Sequence, residues 1–281
     1  MNINQRMVCD VIVKRAKSKR HIGRSITVKN NFLVVILFSV LSTSVIAQEK
    51  FVFNSSEVVI NGESFHGVVV PSLSVDELPY RSVDTQITPS LLVMGQIGKV
   101  FIEGNRIGYL ITRGDHGGFS AIAQVRSHQY LPKDNELGIT ARDKAFEIGA
   151  QLAKPLGSDW FAQLTALTDV SNTHKGQELE LSVYRRDFFG DFRLLSLFAA
   201  QQQSKKLTGY YSDVDLVEDE NHRAGADLNF EFELIGVYDI TENINAVFVY
   251  RHYLHGDGLA NSPLSSNDQT QRLVLGVGWT F

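Results

Sequence analysis

Apolar and polar residues alternate with a period of two along much of this chain. The clearest run is Ala224 to Tyr238. Ala224, Ala226, Leu228, Phe230, Phe232, Leu234, Gly236 and Tyr238 share one face, and Gly225, Asp227, Asn229, Glu231 and Glu233 share the other. Successive side chains of a strand face opposite sides, whereas a helix would scatter these residues around its circumference. Phe146, Ile148, Ala150 and Leu152 alternate with Glu147, Gly149, Gln151 and Ala153; Phe119, Ala121, Ala123 and Val125 alternate with Ser120, Ile122, Gln124 and Arg126; Leu179, Leu181 and Val183 alternate with Glu178, Glu180 and Ser182. The chain ends the same way. Leu273, Leu275, Val277, Trp279 and Phe281 form one apolar face, with Val274, Gly276, Gly278 and Thr280 between them.

A terminal strand with one greasy face is a hazard in water. It is accounted for if the strand closes a barrel whose outside meets lipid. These five residues, ending on Phe281, read as the C-terminal signal for the barrel assembly machinery. Asp227, Glu231 and Glu233 then face inward, which suits a polar, watered lumen and would be ruinous in the core of a sandwich. Strands are expected near 86–95, 99–112, 117–128, 145–154, 158–168, 177–187, 191–203, 224–238, 241–254 and 270–281. Two additions, a turn at Gly104-Asn105 and a strand over 64–71, would make about twelve instead of about ten. The fold class is therefore all-β, a single antiparallel transmembrane barrel of ten or twelve strands. The connections at 155–159, 189–191 and 239–243 are tight, and those at 129–144, 204–223 and 255–269 are long and polar. Tight turns belong at the periplasmic end of such a barrel.

The N-terminus sets the compartment. Residues 1–31 carry eight Lys and Arg against Asp10, followed by the apolar run Phe32 to Leu41 and then Ser42-Thr-Ser-Val-Ile-Ala47. This reads as a secretory signal with Val45 and Ala47 at the cleavage-recognition positions. The apolar run is too short for a spanning helix, which needs about 20 residues. The expected organisation is a signal at 1–47, a periplasmic extension with the extra strand at 48–85, and an outer-membrane barrel at 86–281. Cleavage removes the lone Cys9 along with eight of the 27 Lys and Arg and one of the 31 Asp and Glu, leaving 19 basic against 30 acidic residues. Cysteine-based redox or metal chemistry is thereby excluded from the mature chain, and so acidic a protein is a poor nucleic-acid binder.

Candidate chemistry is sparse. Asp169, Ser171 and His174 stand together at a strand end, His255-Gly-Asp257 and Asp115-His116 lie in turns, and the acid run 213–220 lacks the glycine of a calcium loop. Tyr130, Trp160, Tyr210, Tyr211, Tyr238 and Trp279 fall near strand ends, where an interfacial aromatic girdle would sit. No phosphate loop, dinucleotide fingerprint or zinc spacing occurs. Neither catalytic residues nor a cofactor or metal site is assigned.

Several segments, taken in order, resemble a known family. These are Pro89-Ser-Leu-Leu-Val93, Val100-Phe-Ile-Glu-Gly-Asn-Arg-Ile-Gly-Tyr109, Gly138-Ile-Thr-Ala-Arg-Asp-Lys-Ala-Phe-Glu-Ile-Gly149, Asp169-Val-Ser-Asn-Thr-His-Lys-Gly176, Tyr210-Tyr-Ser-Asp-Val214 and Ser262-Pro-Leu264. Together they are similar to the MltA-interacting protein (MipA/OmpV) family of outer-membrane proteins. The resemblance implies a non-enzymatic barrel. One branch is a scaffold joining a murein lytic transglycosylase to a penicillin-binding protein in peptidoglycan remodelling, and the other serves in adhesion and osmotic response. The expectation is an envelope scaffold in the outer membrane, in contact with its lipid. The alternatives are a small channel or an adhesin.

Overall fold

The computed structural model describes residues 26–27, 58–60, 63–81, 85–114, 117–126, 141–157, 159–214 and 222–281. Twelve of the described strands close into one antiparallel barrel. In chain order they are β1 Glu63–Asp76, β2 Gln86–Ile97, β3 Val100–Glu103, β4 Arg106–Gly114, β5 Gly117–Arg126, β6 Ala145–Pro155, β7 Trp160–Asp169, β8 Gln177–Phe189, β9 Phe192–Gln203, β10 Asp227–Asp239, β11 Ile244–Leu254 and β12 Gln269–Thr280. Each strand pairs with its neighbour in sequence, and β12 returns to pair with β1. Ahead of the barrel, Val58–Ile60 folds back on Glu63–Phe65 and pairs with Ile26–Thr27. Val45 and Ala47 of the cleavage motif lie outside the described residues.

Both additions anticipated from the sequence are present, so the count is twelve. Gly104 has φ +62°, a left-handed conformation that glycine adopts freely. It turns the segment 99–112 into the short hairpin β3–β4. The barrel begins at Glu63, ahead of the 86–281 span read from the sequence. The strand signal of β1 is weak because Val68, Val69 and Val70 make both faces apolar and Pro71 interrupts the run.

Proline positions follow the ladders. The Gly104 N–H bonds Val93 O, so odd-numbered residues of β2 turn their backbone toward β3. Beyond Val93 the short β3 offers no partner among the described residues, and there Pro89 has no N–H to leave unpaired. Gly67 exchanges bonds with Phe281, so odd residues of β1 face β12. Pro71 shares that direction, and the β1–β12 ladder skips from Ser72–Gly276 to Val69–Trp279 around it.

The outside is an apolar belt. Leu73, Ile107, Phe119, Phe146, Ile148, Leu164, Leu181, Phe198, Phe232, Leu273, Leu275 and Val277 are exposed, as befits a surface solvated by hydrocarbon. One end of the barrel gathers tight connections, at 98–99, between β6 and β7, at 190–191 and at 240–243, together with Phe281 and the start of β1. Exposed Trp160, Phe188, Phe189, Tyr238 and Trp279 ring this end, matching an interfacial girdle. The opposite end carries the long connections and two helices, α1 Lys205–Ser212 and α2 Asp257–Ala260.

Candidate functional site

The candidate site is the barrel interior, which is layered. At the turn end most inward residues are apolar. Val68, Val70, Leu92, Met94, Leu195, Leu197, Ile235, Val237, Val247, Val249 and Val274 form one buried cluster with Tyr184. Phe161 stacks on Tyr184 at 5.1 Å, and the Arg186 guanidinium lies 4.3 Å from the Phe161 ring centroid. A polar chain lines the same mouth: Arg193 and Asn245 both donate to Asp239, and Thr280 donates to Asn245. The alternation that put Glu231 and Glu233 inward also puts Ile235 and Val237 inward. The expectation of a watered lumen is therefore corrected for the turn-side half, which a buried apolar cluster fills.

Above the plug lies a buried band of charge and amide groups. Asp227, Glu231 and Glu233 face inward, and each is bonded. Arg251 pairs with both Glu231 and Glu233 and donates to the Tyr253 hydroxyl. The Asp227 carboxylate accepts the Gly258 N–H at 3.0 Å, a bond to the start of α2. Arg126 bridges Glu147 and Glu178, at 2.9 Å each. Arg106 donates to the amide oxygens of Gln124 and Gln151. Near the rim, Arg272 bonds Asp76 and Ser74. Buried charges persist only when partnered in this way.

The far end is closed by α1, α2 and the segments beside them. Tyr80, Val214, Leu259 and Leu264 form a second buried apolar cluster. Ser262 Oγ donates to Ser212 O at 2.6 Å, Arg81 to Ser265 O at 2.8 Å, and Ser265 Oγ to Pro79 O at 3.1 Å. Residues 204–223 read from sequence as a polar loop. The segment Lys205-Lys-Leu-Thr-Gly-Tyr-Tyr-Ser212 is instead a helix whose Leu207 and Tyr211 are buried. Its amphipathic signal is short, and only the barrel mouth beneath it supplies a surface to bury.

Most segments that carried the family resemblance meet at this lid. Asp169 ends β7 and accepts bonds from the N–H groups of Ser171, His174 and Lys175 and from Ser171 Oγ. The Gly176 N–H donates to His174 Nδ1 at 3.0 Å, so the ring proton sits on Nε2 and is donated to Glu147 Oε1 at 3.1 Å. Gly176 is required for closeness: a Cβ there would stand 2.5 Å from Leu207 N of α1. The hydroxyl of Tyr210 accepts the Asp143 N–H, and that of Tyr211 donates to Asp143 O. Burial pushes the Tyr211 phenol above the usual tyrosine range, so it remains a donor.

Asp169, Ser171 and His174 do come together, but as a turn. Neither ring nitrogen of His174 bonds Ser171, and Ser171 Oγ is engaged with Asp169, Thr173 and the Phe146 N–H. That is not the nucleophile–base–orienter geometry of a hydrolase. The girdle reading is corrected for Tyr210 and Tyr211, which belong to α1 in the lid; Trp160, Tyr238 and Trp279 lie exposed at the turn end, and Tyr130 is outside the described residues. Leu273, Leu275, Val277 and Trp279 point outward on β12, and the Phe281 ring lies 6.4 Å from that of Phe65.

A closed antiparallel barrel with an apolar belt, one end of tight turns and one of long connections is an outer-membrane β-barrel. The chain belongs to the family described as MltA-interacting protein MipA, whose model matches residues 73–281. Among solved structures it is similar to the COG4313 outer membrane channel from Pseudomonas putida F1, at 15% identity and TM-score 0.43, covering 80% of this chain and 97% of that one. It is also similar to OmpT, an outer membrane protein of Vibrio cholerae, at 9% identity and TM-score 0.36, covering 81% and 100%. The outer membrane channel DcaP of Acinetobacter baumannii matches at 10% identity and TM-score 0.34, covering 80% and 83%. At these values the likenesses carry no argument about function. No curated protein matches the chain.

Proposed function

We propose that this protein is a non-enzymatic scaffold of the cell envelope. It sits in the outer membrane after signal removal and reaches a murein lytic transglycosylase, and through it a penicillin-binding protein, from the periplasmic side. The observation that carries this reading is the filled lumen. An apolar plug at one end, a bonded charge band and a lid of two helices leave the described interior packed, which argues against a solute path. The family description supports the partner, because its name records an interaction with MltA, a lytic transglycosylase. The surface on offer to a periplasmic enzyme is the turn end, at 98–99, between β6 and β7, at 190–191 and at 240–243.

The test is an affinity pull-down from envelope extract with the folded barrel, verified by a heat-dependent gel shift. The expected result is recovery of a lytic transglycosylase that is lost when the turns at 155–159 and 239–243 are replaced. A folded barrel that retains no murein enzyme would overturn the proposal. Planar-bilayer recordings are expected to show no steady conductance.

A further inference from the structure

The central band holds more acid than the guanidiniums paired to it can neutralise. Arg126 is shared by Glu147 and Glu178, and Arg251 by Glu231 and Glu233. Glu180, also buried, has an amide as its bonded partner: Gln201 Nε2 donates to Glu180 Oε2 at 3.1 Å and to Glu231 Oε2 at 3.0 Å. Arg106 is near enough to act on the Glu180 charge but donates to the amides of Gln124 and Gln151. Glu147, Glu178, Glu180, Glu231 and Glu233 therefore share an enclosed stretch of the band with Arg106, Arg126 and Arg251. Uncompensated charge in such a place is costly enough that compensation is expected from elsewhere.

A second observation falls at the same spot. Ser182 lies two residues from Glu180 on the inward face of β8. Across the ladder it pairs with the small Ala199, and Ala199 pairs in turn with Glu231. The Ser182 hydroxyl is buried, the residue being 1% exposed, and has no hydrogen-bond partner among the described residues. A buried hydroxyl without a partner calls for an explanation, and a small ligand is one. We propose that the band takes up one unit of positive charge from the medium, a proton or a monovalent cation, held between Glu180, Glu231 and the Ser182 hydroxyl. Among the described residues no three His, Cys, Asp or Glu side chains gather to hold a metal ion, so a multivalent site is not expected. The charged groups that act on Glu180 are Arg106 on β4, Glu231 and Glu233 on β10, and Glu178 on its own strand.

The test uses the barrel purified from membranes in detergent. Its unfolding midpoint in urea is measured from pH 6 to 9, and separately in Na⁺ or K⁺ replaced by choline at constant ionic strength. Wild type is compared with Glu180→Gln, which removes one negative charge at constant shape. If the ligand is a proton, the folded-to-unfolded ratio of wild type falls by up to about tenfold more per pH unit than that of the variant. If it is a cation, the ratio rises by up to about tenfold per tenfold increase in Na⁺ or K⁺, and the variant loses that slope. Identical pH and cation slopes in the two proteins would overturn the proposal. Should Glu180→Gln fail to fold, Ser182→Ala replaces it, and unchanged slopes there count against the site equally.

Discussion

Adding one methyl group at Gly176 should unlatch the lid while leaving the barrel standing. In Gly176→Ala the new Cβ would lie 2.5 Å from Leu207 N and 2.7 and 2.8 Å from Leu207 Cβ and Cα. Ordinary carbon contacts are about 3.5–4.0 Å, so α1 must move outward by about 1 Å. The atoms in the way belong to a helix backbone and cannot rotate aside. Overpacking of this kind costs about 1–3 kcal/mol, and it falls on an element held by a handful of bonds, among them Ser204 N to Gln177 O, Gln177 N to Ser204 Oγ, Tyr210 and Tyr211 to Asp143, and Ser262 Oγ to Ser212 O. Since each 1.4 kcal/mol is about a factor of ten, the open population of the lid should rise about 5- to 150-fold. Lys205 and Lys206 at the start of α1 are exposed and report it directly. Trypsin should cut Gly176→Ala there many times faster than wild type, while the heat-dependent gel shift of the barrel persists. Gly157→Ala, where a Cβ meets nothing within 4 Å, is the control. Equal trypsin rates in all three proteins would refute the idea that the Gly176 contact seats the lid.

Truncating the plug at Leu195, which is 2% exposed, should cost about 2–5 kcal/mol as Leu195→Ala, read from the urea midpoint, without producing a steady pore. Arg251→Met strands Glu231 and Glu233 together and should destabilise by about 3–5 kcal/mol, with partial recovery in the double variant carrying Glu233→Gln. His255, at the lid, is held down to about 4, chiefly by burial. Its folded-state value lies below its unfolded one, so the stability tied to it is present above about pH 6.5 and is lost as pH falls toward 4. The acid limb of a pH-stability profile should flatten in His255→Phe, and an unchanged limb would count against that assignment.

The barrel was legible because lipid outside and a packed interior impose opposite demands on alternate residues, and Ala224–Tyr238 records both. The sequence leaves ten and twelve strands both open because Gly104-Asn105 breaks a run too short to register as two strands, and because Val68-Val69-Val70 carries no alternation. The inward acids Asp227, Glu231 and Glu233 could be placed, yet their meaning could not. A period of two says which face a residue takes, not what stands across the lumen. Only the closed geometry shows Ile235 and Val237 meeting Val68, Leu92 and Leu195 instead of water. The Asp169–Ser171–His174 grouping is the converse case. Its proximity is readable, but its purpose as a turn that hands His174 to Glu147 depends on a contact with the preceding strand, β6, which no spacing in the motif reveals.

The break at Pro71 bears on how the molecule is made. Every pairing in the barrel but one joins strands adjacent in the chain, so β1 to β12 can zip together by local steps with small loop-closure cost. The exception, β1 against β12, must wait for the last residues to be delivered, and it is the seam where a rung is missing. Until then two strand edges stand open at once. A chain cut short before residue 269 would keep both edges bare and have no route to completion. The finished cylinder and an unfinished curled sheet therefore differ by one late, deliberately lightened joint.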